Sequence, residues 1–178
     1  MNSYYTTASI GQHLDLSLFP TEVASEDVYL RVIAMKSASA VECACHVGAL
    51  LAEANPNLIE SFTAFGHNLG MASQIANDIK GVSCLRDIKR HKITLPTIYA
   101  LAQTDGEIHR LLENAFCRSI IESATPPDQI KDLLFRVGGV QYATIMMELY
   151  KQKAIDNIIE LERAGVKIGM LKHFLEST

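Results

Sequence analysis

Apolar positions recur along most of this chain at i, i+3, i+4 and i+7. Nowhere do they alternate through a Val/Ile/Thr run bounded by turns. The pattern predicts helices and no sheet. A first helix covers about Tyr5 to Leu18 and stops near Pro20. Ser25 reads as the N-cap of the next, with Glu26 and Asp27 in the first turn, where carboxylates suit the helix dipole. That helix runs to the break at Asn55-Pro56, with a kink expected near Ser37-Ala38-Ser39. Its middle is rich in Ala, Ser, Cys and Gly, which lets neighbouring helices approach closely and marks it as buried. A third helix spans about Asn57 to Lys80 and carries small residues of its own: Ala64, Gly66, Gly70, Ala72, Ser73 and Ala76.

After Lys80 the stretch GVSCLRDIKRHK reads as a short loop, and ITLPTIYALAQ as a helix that tolerates Pro96 in its first turn. Further helices are expected over Glu107–Ser123, Asp128–Val137 and Gly139–Glu162, with a last one over Lys167–Glu176. About seven or eight helices without strands make a bundle. There is no internal repeat and no low-complexity tract, so residues 1–178 are expected to form one helical domain.

Composition narrows the class. The 178 residues are 48% apolar and 20% charged, with a net charge of -4. Disorder is therefore not expected, and neither is the basic face of a nucleic-acid binder. No run approaches the roughly 18 apolar residues of a membrane span. The opening MNSYYTTASIGQHLDL has neither a basic nor an apolar leader region, so a cytoplasmic setting is expected. The four cysteines, Cys43, Cys45, Cys84 and Cys117, form no CxxC pair and are expected to be buried, reduced thiols.

The candidate chemistry lies in polar residues on otherwise apolar helices. Gln12 and Asp15 share a face of the first helix at i, i+3. Lys36 sits in a stretch that otherwise favours burial. Gln74, Asn77 and Asp78 follow one another at i, i+3 and i+4, and the next loop supplies Arg86, Asp87, Lys89, Arg90, His91 and Lys92. Singly, each has a plain structural explanation: a solvated first-turn pair, a snorkelling lysine, a polar helix end, an exposed loop. Together they suit a Mg²⁺-bridged polyanion inside a helix bundle. Mg²⁺ shares one or two carboxylates with substrate phosphates, and Lys and Arg neutralise the remaining phosphate charge. Apolar helix walls would then hold a hydrocarbon chain.

The same residues carry a resemblance. GQHLD (Gly11 to Asp15), Lys36-Ser37, FGHNLGMASQIANDIKG (Phe65 to Gly81) and DIKRHKITLP (Asp87 to Pro96) occur in one order. They are similar to the GQxxD, Lys-Thr, FGxxLGxxxQxxDDxxD and DxxxxKxTLP landmarks of the trans-isoprenyl diphosphate synthases. The tail GGVQYATIMMELYKQKAIDNIIELE resembles the end of the quorum-sensing pheromone-modifying isoprenyl transferases of Gram-positive bacteria, which prenylate a peptide tryptophan. The resemblance implies an all-α, terpenoid synthase-type helical bundle, its C-terminal half only, because ten residues precede Gly11 and the family's first Asp-rich motif lies well upstream of that point.

It further implies a Mg²⁺ site built on Asp78, with Asn77 and Asp15 as metal positions. It implies a diphosphate grip by Gln12, Lys36, Gln74, Arg90 and Lys92, with Lys36 and Asp78 as the catalytic pair. The implied partners are an allylic isoprenyl diphosphate, an acceptor that is either isopentenyl diphosphate or a Trp-containing peptide, and a second copy or a complementary N-terminal half. There are departures. DDxxD is NDIKG here, so one carboxylate stands where three are usual. The NSE motif of class I terpene synthases is not completed either, because Gly81 and Leu85 fill its later positions. A non-catalytic or regulatory prenyltransferase subunit is therefore the competing expectation.

Overall fold

Two helix starts are written into the sequence. Ser25 adopts an extended backbone, and its Oγ accepts the Val28 N–H at 3.3 Å. Asn55 does the same for Leu58 at 3.0 Å, with Pro56 at the first helical position, where its missing N–H costs nothing. The computed structural model describes residues 2–17, 25–116 and 125–176. Among them the helices are α1 (Asn2–Ser17), α2 (Glu26–Ile33), α3 (Ser39–Leu51), α4 (Pro56–Ser83), α5 (Arg86–Lys89), α6 (Leu95–Gln103), α7 (Gly106–Phe116), α8 (Pro127–Arg136), α9 (Gly139–Arg163) and α10 (Gly169–Glu176). No strand occurs among the described residues.

The kink expected near Ser37 is a π-helical turn, Ala34–Ala38, joining α2 to α3. Ser39 Oγ donates back to the Met35 carbonyl, an i−4 bond that bends a helix. The wider turn swings Lys36 and Ser37 out of register with the α2 stripe. Two glycines let other helices close on it. A Cβ on Gly11 of α1 would lie 2.5 Å from the Lys36 nitrogen, and one on Gly70 of α4 would lie 2.6 Å from the Ala38 Cα.

α4 is the central helix, packed chiefly against α3 and α9. One core gathers Tyr29, Ile33, Met71, Ile75, Ile98, Leu112 and Leu134 around its second half. A second core, at its first half, joins Phe65 and Leu69 to Ile158 and Leu161 of α9 and Leu175 of α10.

Two expectations need correction. The segment after Lys80 is not all loop: α4 continues to Ser83, and α5 follows after Leu85, which takes a left-handed φ of 64°. The described cysteines are free but not buried. Cys84 ends α4 at an exposed turn, and Cys43 and Cys45 are half-buried on α3. Cys117 and the end of the helix expected to reach Ser123 lie outside the described residues, as do Leu18 and Pro20. No described helix is long and apolar enough to cross a membrane.

Candidate functional site: a buried carboxylate held by two lysine-bearing elements

Asp78 is the centre of the site. It sits on the buried face of α4, 1% exposed, and its two oxygens take three donors. Tyr29 Oη of α2 donates to Oδ2 at 2.7 Å. Gln74 Nε2, one turn earlier on α4, donates to Oδ1 at 3.0 Å, and Lys92 Nζ donates to the same oxygen at 2.8 Å. Ser37 Oγ of the π-helical turn donates to Gln74 Oε1 at 2.8 Å and fixes which way the amide points. A buried carboxylate requires such compensation, because desolvation without partners is very costly. Burial, and then the Asp78 charge, push the Tyr29 hydroxyl well above its usual range, so Tyr29 stays a donor.

The second lysine is paired as well. Lys36 Nζ bonds Asp15 Oδ2 where α1 crosses the π-helical turn, with 28% and 19% of the two side chains exposed. Asp15 and Asp87 both lie close enough to Tyr29 to help hold its proton. Lys92 reaches Asp78 because the loop after α5 is pinned at several points. His91 takes φ 52° and its Nδ1 meets the Ala115 carbonyl at 2.7 Å, while the Lys92 N–H donates to the Asp87 carbonyl at 2.9 Å. Nearby, Arg86 Nε donates to Asp87 Oδ1 at 2.9 Å and its Nη2 to the Asn77 carbonyl at 3.3 Å. The other oxygen, Asp87 Oδ2, is buried without a partner among the described residues.

The structure therefore brings Asp15, Lys36, Gln74, Asp78 and Lys92 into one region. It does not bring Gln12, Asn77 and Arg90 to it. Gln12 and Arg90 are exposed, and neither side chain makes a hydrogen bond among the described residues. Asn77 is exposed beside the buried Asp78, because adjacent helical residues point about 100° apart. Sequence reasoning missed Tyr29, which reads as one more apolar core position, although it lies two turns before Lys36. It also missed the anchoring role of His91, which depends on a left-handed backbone.

Among the described residues no three carboxylate, imidazole or thiol groups converge on a metal-sized point. The donors do fit a cation shared with phosphate. They comprise one buried carboxylate, a second carboxylate oxygen with no partner, and two ammonium groups whose present partners are carboxylates. A groove of about 730 Å³ lies elsewhere, between the start of α1, α3 and the start of α4. Tyr4, His46, Pro56, Thr63 and His67 line part of it.

Comparison with known proteins bears on the family and the fold. The chain is similar to the geranylgeranyl diphosphate synthase of Saccharolobus solfataricus, 25% identical over 90% of this chain and 53% of that protein. It is likewise similar to the tryptophan prenyltransferase ComQ of Bacillus subtilis, 27% identical over 98% of this chain and 58% of that one. The decaprenyl diphosphate synthase from Rhodobacter capsulatus shares the fold, with a TM-score of 0.83 at 22% identity over 99% of this chain and 55% of its own. The chain thus spans about half the length of the relatives it matches. The polyprenyl synthetase family model matches residues 1–125, most of the chain, and it takes in every landmark from Gly11 to Pro96. This protein belongs to the polyprenyl synthetase family.

Proposed function

We propose that this chain is the diphosphate-gripping half of a prenyltransferase that transfers an isoprenyl group from an allylic diphosphate. What supports this most is the pairing of each lysine with a carboxylate: Lys36 with Asp15, and Lys92 with Asp78. Such pairs can exchange partners. With a Mg²⁺–diphosphate bound, Asp15 and Asp78 would hold the cation, and Lys36 and Lys92 would bind phosphate oxygens. Bound Mg²⁺ would neutralise the diphosphate and improve it as a leaving group.

The remaining work falls to the chain's own residues. Ser37 and Gln74 hold Asp78 in one orientation, and Tyr29 keeps its second oxygen occupied until the ligand arrives. Lys36 and Lys92 stabilise negative charge as it develops on the departing diphosphate. The allylic C–O bond breaks with both electrons going to oxygen. The cation is then captured by a nucleophile that forms the new bond to carbon and gives up a proton. That nucleophile is the alkene of isopentenyl diphosphate or the indole of a peptide tryptophan. Similarity to both a geranylgeranyl diphosphate synthase and a tryptophan prenyltransferase supports either acceptor. Gln12, Asn77 and Arg90 stay outside this grip, exposed at the surface.

Because the chain spans about half of its relatives, we propose that a second helical half, supplied in the same polypeptide or by another one, completes the metal site. A second reading, a non-catalytic partner subunit, is favoured by the single carboxylate in NDIKG. Similarity to heptaprenyl diphosphate synthase component 2 of Bacillus subtilis, 26% identical over 80% of this chain, supports a partnered assembly under either reading. The test is thermal protection of the chain by Mg²⁺ with inorganic diphosphate. Protection that is lost in Lys92→Ala supports the site. Equal protection of the variant and the parent overturns the phosphate role of Lys92. Product formation from a labelled allylic diphosphate, after the other half is added, separates the enzyme from the non-catalytic subunit.

A further inference from the structure

Asp87 is 3% exposed, and only one of its two oxygens has a hydrogen-bond partner. Arg86 takes Oδ1, while Oδ2 is buried with no partner among the described residues. A buried carboxylate oxygen left without a donor is rare in folded proteins and calls for an explanation. The explanation lies in what Oδ2 touches. It packs over Gly81, so closely that a Cβ there would fall 1.9 Å from Oδ2 and 2.3 Å from Cγ. Gly81 is one turn beyond Asp78 on the same buried face of α4. The carboxylate of Asp87 thus occupies the space that a side chain at position 81 would fill. The left-handed turn at Leu85 brings it there. The same loop delivers Lys92, whose N–H is bonded to the Asp87 carbonyl and whose Nζ is bonded to Asp78.

We propose that Asp87 is a ligand group for the divalent cation of this site, with Oδ2 bonding the ion directly or through its water. It would supply, from the loop, the anionic oxygen that Gly81 cannot. The assignment rests on the diphosphate reading given above. Gly81 is then not a lost residue but the clearance that admits Asp87. Arg86 holds the carboxylate in place through Oδ1 and leaves Oδ2 for the cation. Hard divalent cations prefer anionic oxygen, so an amide at position 87 would serve poorly.

The experiment is Mn²⁺ binding to the full chain in the presence of inorganic diphosphate, read from the electron paramagnetic resonance of the free ion. Helicity of each variant is checked by circular dichroism. Asp78→Asn is expected to abolish binding, and Asp87→Asn to weaken it at least tenfold. Arg86→Gln, which removes the partner and keeps the carboxylate, should bind as well as the parent or better. The exchange Gly81→Asp with Asp87→Gly should recover most of the affinity. Loss in Asp78→Asn with no change in Asp87→Asn overturns this assignment and leaves the diphosphate reading standing. Equal loss in Arg86→Gln and Asp87→Asn makes the pair a structural one and likewise overturns it. A parent chain that binds no Mn²⁺ with diphosphate overturns both.

Discussion

Tyr29 shows how much of the site depends on one hydroxyl. Its Oη is the only described donor to Asp78 Oδ2, at 2.7 Å, in a position 2% exposed. Tyr29→Phe keeps the ring and removes the donor, so a buried carboxylate oxygen loses its partner. The expected cost is about 1–3 kcal/mol, read as a lower midpoint in urea with an unchanged slope. A second tyrosine sets an alkaline limit. Tyr142 of α9 stacks on Tyr99 at 4.3 Å and donates to both Glu26 oxygens at 2.8 Å. Burial, and then that carboxylate, push its hydroxyl up to about 12. An unfolded tyrosine ionises near pH 10. The folded value is the higher one, so the stabilisation is complete below about pH 10 and is lost as pH rises through about 12. Melting temperature should fall across that window, and the fall should be shallower in Tyr142→Phe. At this scale the sequence is readable where chemistry follows helical spacing, as for Gln74 and Asp78 at i, i+4. It is not readable where a side chain's role is set by loop backbone, as for Asp87 and His91, or where an aromatic residue serves both core and site, as Tyr29 does.

At the scale of elements, the π-helical turn between α2 and α3 organises the site. It carries Lys36 toward α1 and Ser37 toward α4, a divergence of neighbouring side chains that a regular helix would aim differently. The break itself was legible in the sequence, because Ser37-Ala38-Ser39 weakens a helix that is otherwise continuous. That the break is a π turn was not, because it depends on α4 pressing Gly70 against Ala38. Two glycine substitutions test this. Gly70→Ala places a Cβ 2.6 Å from the Ala38 Cα, a backbone-level clash that should destabilise by about 1–3 kcal/mol. It should also weaken diphosphate protection, because the Ser37–Gln74 bond spans that same contact. Gly48 sits in the last turn of α3 with open space at its Cβ. Gly48→Ala should therefore stabilise by about 0.5–1 kcal/mol through helix propensity alone. Paired denaturation curves decide the matter, and a destabilised Gly48→Ala would mean that α3 is covered by another surface.

At the scale of the molecule, the order of landmarks made the half-bundle legible. What the order of residues does not display is how much apolar surface the half leaves uncovered. Tyr5 and Leu16 of α1 are each 71% exposed, and Leu50 and Leu51 at the end of α3 are 50% and 82% exposed. On α1, Tyr5, Gln12 and Leu16 fall close to one stripe, at positions 0, 7 and 11 of a 3.6-residue repeat. Gln12, unbonded among the described residues, thus lies on the face that is most apolar and most exposed. The groove of about 730 Å³ opens beside the start of the same helix. Reburying a large apolar side chain stabilises by roughly 1.5–3 kcal/mol, so covering even these four rivals the whole stability of a small domain. The chain alone is therefore expected to self-associate, or to melt at low temperature with poor cooperativity. Sedimentation across a concentration series checks the first and calorimetry the second. Leu16→Lys together with Leu51→Lys should shift the chain toward monomer without lowering its melting temperature, because both side chains already face solvent. A parent that stays monomeric at high concentration and melts sharply at high temperature would mean that this surface needs no cover. The proposed second half would then have to act through the rim of the diphosphate site alone.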